Sequence, residues 1–131
     1  MIVLDTHVWV WWVSGVGELS PRAGELIAEA VIDRALHVSC ISAWEVAMLV
    51  RRGRLVLTMG VEDWVARSEA LPFLRFVPVD NRIALGAVRL PEPLHRDPAD
   101  RIILSTAQTL GATLVTRDER LWDYPHVETA W

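Results

Sequence analysis

The chain contains no lysine; all 13 of its basic residues are arginine. That absence removes the chemistries that need an ammonium group: P-loop nucleotide hydrolysis, Schiff-base catalysis and phosphate sites built on lysine. Cysteine is nearly absent as well. The single thiol, Cys40, has no partner for an internal disulfide and cannot build a thiolate metal site, which points to a reducing, cytoplasmic setting. Long apolar runs are missing too. The charge-free stretch near the start, residues 6–17, falls short of the roughly 20 residues that a membrane-spanning helix needs. The opening residues lack a basic flank and carry Asp5 within their apolar start, so neither a signal peptide nor a membrane span is expected. Positive charge is also in deficit. A net charge of −4 argues against a generic nucleic-acid binder, which is usually basic, although an acidic site that holds cations escapes that objection.

What is present is a chain of 131 residues, 52 % hydrophobic, with no repeat, linker or low-complexity tract. One domain over residues 1–131 with its own core is expected. Apolar runs alternate with stretches of helical spacing. Met1 to Leu4, His37 to Cys40, Arg75 to Val79 and Ala112 to Thr116 read as short buried strands, and His126 to Glu128 as a last edge strand. Between them, helices are expected over residues 7–13, from Ser20-Pro21 through Val31, from Ser42 through Val50, over 61–71 and 82–90, and from Pro98 to Leu110. Strands alternating with helices predict an α/β fold: a central, mostly parallel sheet flanked by helices. Trp9, Trp11 and Trp12 cannot all face inward from one short helix, so part of that set is expected at the surface.

Carboxylates gather where strands end and helices begin. Asp5 follows the first strand, and capping the next helix would explain it, a role compatible with ligation. Glu45 lies three residues after Ser42, which is by itself a complete capping box. Asp97-Pro98-Ala99-Asp100 reads as a helix start with Asp97 as N-cap, and Asp118 sits just beyond the strand that ends at Thr116. In open α/β sheets ligands bind beyond the carboxyl ends of the strands. Asp80 needs no role beyond capping. His95 could ligate a metal or shuttle a proton, but a loop histidine beside Arg96 is read first as exposed or as a substrate contact. Several acids at one edge must be protonated or share a cation, and all-oxygen ligands favour Mg2+ or Mn2+. No histidine pair has the spacing of a zinc site.

The segments Ile2-Val3-Leu4-Asp5-Thr6-His7, Ser42-Ala43-Trp44-Glu45-Val46-Ala47, Asp97-Pro98-Ala99-Asp100-Arg101 and Thr116-Arg117-Asp118 together resemble the PIN-domain ribonucleases, especially the VapC-type toxins of toxin–antitoxin pairs. The order, spacing and length match over essentially the whole chain. The resemblance implies a PIN-like three-layer fold and a Mg2+- or Mn2+-dependent endoribonuclease whose metal-binding acids are Asp5, Glu45, Asp100 and Asp118. It leaves Asp97 as N-cap beside the site, Thr116 to orient Asp118 or a metal-bound water, Thr6 as a neighbour of the acids or a substrate contact, and Arg101 and Arg117 as candidate contacts for RNA phosphates, with surface ion pairs as the alternative for both arginines. It also implies a homodimer and a cognate antitoxin protein, with contacts near Trp9 to Trp12 and Val46 to Val50. Two rival enzymes fail: a haloacid-dehalogenase-like phosphatase needs an Asp where this chain has His7, and that fold and a receiver domain both use lysine. The non-enzymatic alternative is a degenerate PIN fold serving as a binding scaffold, which would be expected to lose acids.

Overall fold

The computed structural model of the protein describes residues 1–15 and 17–131. Its element order is β1 (Ile2–Leu4), α1 (Thr6–Ser14), α2 (Pro21–Asp33), β2 (Leu36–Ser39), α3 (Cys40–Arg51), α4 (Val61–Glu69), β3 (Leu74–Val77), α5 (Asn81–Arg89), α6 (Pro98–Leu110), β4 (Thr113–Val115), α7 (Glu119–Trp122) and β5 (Thr129–Ala130). The strands form one sheet in the order β3-β2-β1-β4-β5, and every neighbouring pair is parallel. Chain order reverses between β1 and β4: the segments after β1 build outward through β2 and β3, and the chain then returns to lie on the other side of β1. That switch point opens a crevice beyond the carboxyl ends of β1 and β4.

The sheet separates two cores because successive strand residues face opposite sides. Ile2, Leu4, Leu36, Val38 and Val115 point to one face, where they meet Trp9 of α1, Ile27 of α2 and Trp64 of α4. Val3 and Leu114 point to the other and meet Ile103 and Leu104 of α6, Leu121 of α7 and Tyr124. α3 touches both, with Val46 buried in the first core and Ile41 packed against the second. The fully buried Trp9 packs at a tilt against Trp64 and edge-on to Phe76, and its indole N–H donates to Ser68 Oγ at 3.2 Å. Trp11 and Trp12 stay partly exposed, as three tryptophans on one helix require.

Helix boundaries follow local chemistry. Ser20, Asp80 and Asp97 each cap a helix through a side-chain oxygen, and Pro21 and Pro98 occupy first-turn positions where no backbone N–H is needed. α6 stops at Gly111, whose φ of 64° lies in the left-handed region that glycine enters without penalty. α5 lies close on α6 at Gly86, where a Cβ would come within 2.6 Å of Ser105 Oγ.

Two expectations are corrected. The capping box at Ser42 does not form, because the chain turns from β2 into α3 without a loop and Ser39 Oγ accepts from Ile41 N instead. Ser42 and Glu45 therefore lie inside the helix, free to face α1. The last strand is Thr129–Ala130 rather than residues 126–128, because Val127 is drawn into the second core and delays the pairing with β4.

Candidate active site

Each acid comes to the crevice by a different route. Asp5 leaves β1 in extended conformation and caps α1, so its carboxylate is held from both sides. Its Oδ1 accepts from Thr6 N at 2.8 Å, and its Oδ2 accepts from Thr116 Oγ1 at 2.6 Å. Thr116, fully buried beyond β4, also accepts from Asp118 N at 3.0 Å. One hydroxyl thus spends its proton on Asp5 and its lone pair on Asp118, joining the ends of β1 and β4. Thr6 does comparable work on the other side. Its Oγ1 lies 2.5 Å from Glu45 Oε1 and 2.8 Å from Ser42 Oγ; with a single proton, it donates to the carboxylate and takes the Ser42 contact as acceptor.

Asp100 lies in the first turn of α6, where Asp97 Oδ1 accepts from its backbone N–H at 3.2 Å. Its carboxylate meets His95, whose Nε2 donates to Oδ2 at 2.7 Å. Asp118 caps α7 and is gripped by Arg120: Nη2 lies 2.7 Å from Oδ2, and Nε reaches both carboxylate oxygens. Asp5, Glu45, Asp97, Asp100, Asp118 and Glu119 all line one pocket of about 570 Å³, with His7, Trp11, Arg117 and Arg120 completing its wall.

Burial sets the charge state of this cluster. Desolvation raises Asp5 above the ordinary carboxylate range despite its two hydrogen bonds. Glu45 is pushed up to about 7, mainly by burial, with the charges of Asp5, Asp100 and Asp97 adding to the effect. Asp100 rises to about 6 for the same leading reason, opposed by its bond to His95. Asp118 moves the other way, held below its ordinary value by the Arg120 hydrogen bond. Three desolvated carboxylates facing one pocket fit a bound cation, which would supply the counter-charge they lack. Ligand atoms of His95, Asp100 and Asp118 lie within 4.8 Å of one another, close enough to share one ion.

The two flanking arginines separate. Arg101 does not line the pocket; its guanidinium donates to Glu92 Oε1 and to the carbonyls of Leu94 and His95, clamping the loop that presents His95. Arg117 does line it, paired with Glu18 and lying 5.5 Å over the Trp11 ring. Arg120 escaped the sequence reading of the site, as did two contacts of residues read there in other roles: Ser42 with Thr6, and His95 with Asp100. The Asp-Glu-Arg run at 118–120 was the available signal for Arg120, since a cap residue and an arginine two positions on can pair across a turn.

The comparisons with known proteins agree with this architecture. The sequence model of the PIN domain matches residues 2–127. Ribonuclease VapC22 of Mycobacterium tuberculosis is 36% identical over 132 residues, covering 99% of this chain and 98% of that protein. Among solved structures, VapBC2 from Rickettsia felis bound to a DNA fragment from their promoter superposes with a TM-score of 0.71 at 15% identity, covering 99% of this chain and 98% of that one. A toxin–antitoxin complex from Klebsiella pneumoniae gives 0.66 at 20% identity over 100% and 98% of the two chains. At these identities the structural likeness is one of fold. The family-model match and the near-complete alignment with VapC22 establish that this chain belongs to the PIN-domain family.

Proposed function

We propose that this protein is a Mg2+- or Mn2+-dependent endoribonuclease, acting as the toxin of a toxin–antitoxin pair, with residues 1–131 forming one catalytic domain. The observation that carries the reading is the convergence of Asp5, Glu45, Asp100 and Asp118, from four separate elements, on one pocket at the switch point of the sheet. The relationship to a ribonuclease across nearly the whole chain supports RNA as the substrate. Those four acids would hold the metal, with His95 adjoining Asp100. Oxygen donors dominate the set, which suits hard divalent cations rather than zinc. A divalent ion supplies Lewis acidity for hydrolysis and neutralises charge on a phosphate oxygen.

The chain's own residues do the rest. Thr6 and Thr116 fix the Glu45 and Asp5 carboxylates by hydrogen bonds, so the acids are aimed before any ion arrives. Arg117 at the rim offers a guanidinium to a phosphate, at the expense of its exposed pairing with Glu18. A scaffold would tolerate erosion of the acids, whereas all four face the pocket.

Two apolar surfaces suit the protein partners of such a toxin. A pocket of about 510 Å³ between α1, residues 55–59 and α4, lined by Val10, Trp11, Val13, Val56, Met59 and Trp64, would suit an apolar segment of the antitoxin. A second apolar face lies around Trp44, 57 % exposed beside Ile41, Pro78, Val79 and Ile102, and would suit the proposed contact with a second copy of the chain. Among the described residues no helix is long and apolar enough to cross a membrane.

Cleavage of a cellular RNA pool by antitoxin-free protein, in Mn2+, Mg2+ or EDTA, tests the reading. Discrete fragments are expected only with metal, and Asp5→Asn should reduce them by about 100-fold or more, the order seen when an electrostatic group is removed from an active site. Equal cleavage by wild type and Asp5→Asn would overturn it. Asn retains a capping side chain, so the variant should fold.

A further inference from the structure

Arg120 sits within the acid cluster rather than beside it. Asp118 accepts from three N–H groups, all of this one residue: Arg120 N on Oδ1, Nη2 on Oδ2, and Nε, whose single proton is shared between the two oxygens. The guanidinium fork thus covers both carboxylate oxygens, and an ion that takes Asp118 as a ligand must compete with it. The same Nη2 lies 3.6 Å from Asp100 Oδ2, so one guanidinium bridges carboxylates borne by α6 and by the cap of α7. The pairing raises the Arg120 pKa well above its ordinary value, so the positive charge is permanent. Capping of α7 does not require it, because the backbone N–H of Arg120 already satisfies that role. The side chain is 61% exposed and has open solvent to swing into, whereas those of Asp100 and Asp118 are 12% and 23% exposed.

We propose that Arg120 is a resident counter-cation which a divalent ion must displace from Asp118, so that it sets the protein's metal affinity and leaves a free guanidinium at the pocket mouth once the ion is in place. This rests on the metal-site reading above. Without the ion, Arg120 neutralises the exposed half of the cluster. With it, Asp118 recovers its lone pairs for ligation and the arginine is released toward solvent.

Calorimetric titration of Mn2+ alone into metal-stripped protein at pH 8, where Glu45 and Asp100 are ionised, tests this in wild type, Arg120→Gln and Arg120→Lys. Arg120→Gln should bind Mn2+ about ten-fold more tightly than wild type, because a bidentate charged competitor has been removed. Arg120→Lys should fall between them, since the ammonium keeps the charge and loses the fork. Metal-free thermal unfolding of each variant verifies folding. Equal or weaker Mn2+ binding by Arg120→Gln would overturn the exchange while leaving the metal site intact. Absence of Mn2+ binding in all three proteins would overturn both readings.

Discussion

Asp5 and Asp118 cap the helices that follow two adjacent strands, β1 and β4, and one hydroxyl, that of Thr116, touches both residues. Their surroundings nevertheless treat charge in opposite ways. The Asp5 half of the site, with Glu45, is buried and supported by hydroxyls: Thr6, Ser42 and Thr116 supply hydrogen bonds but no positive charge. Its carboxylates are pushed upward in pKa. Asp118 is more open and is held below its ordinary value by Arg120, which also reaches the buried Asp100, itself raised to about 6 by desolvation. Hydroxyls can aim a carboxylate without stabilising its charge much, whereas a guanidinium does both but occupies the oxygens it stabilises. In the proposed metal site, one half is thus preorganised by hydroxyls alone, and the other carries a guanidinium that a divalent ion would displace.

The largest expected effect comes from cutting the bond that joins the halves. Thr116→Val keeps the volume of a fully buried side chain but removes a donor to Asp5 and an acceptor for Asp118 N. Stability of the metal-free protein should fall by about 1–3 kcal/mol, the cost of leaving buried polar groups unpaired, and Thr116→Ser should restore most of it. Urea unfolding measures both. Equal stability of Thr116→Val and wild type would mean that the halves are positioned independently.

A smaller effect sharpens the electrostatic contrast. Glu45 binds its proton more tightly in the folded protein, near pH 7, than at its ordinary value of 4.5. The folded state therefore holds more protons between those values, and stability falls as pH rises through that window. The penalty is absent below pH 4.5 and complete above about 7. Glu45→Gln keeps an acceptor for Thr6 and removes the charge, so in EDTA it should be more stable than wild type at pH 8 and equal to it at pH 4.5. Asp5 and Asp100, also raised by burial and facing Glu45, lose a like-charged neighbour in the variant, which adds to the difference at pH 8; His37, lowered by burial, and Asp118, lowered by Arg120, titrate in both proteins and drop out. Parallel pH profiles for the two proteins would show that Glu45 carries no desolvation penalty.

Much of this architecture is legible in the chain itself. Ile2-Val3-Leu4, Leu36 to Ser39 and Thr113 to Val115 are short apolar runs with a polar residue at the exit, and a parallel sheet buries such runs on both faces. That logic also places Asp5 and Asp118 at one edge. Glu45 shows where local reading stops. Ser39 and Ser42 can each cap a helix, and only the direct passage from β2 into α3 selects Ser39, turning the apparent capping box into a contact with Thr6. The His95–Asp100 bond depends on a loop conformation set by Arg101 binding three acceptors, a tertiary arrangement without periodicity. The pairing of Arg120 with Asp118 is local and legible in the run at 118–120, but its reach to Asp100 appears only once α6 and α7 come together.

The most direct measurement is thermal unfolding of metal-stripped wild type and Asp100→Asn across a Mn2+ titration. A ligand that binds only the folded state stabilises it by about 2.7 kcal/mol at a hundred-fold excess over its Kd, so wild-type Tm should climb steadily with Mn2+. Asp100→Asn should lose most of that rise while folding normally without metal. A flat wild-type curve, or the same climb in both proteins, would contradict a metal centre built on these acids.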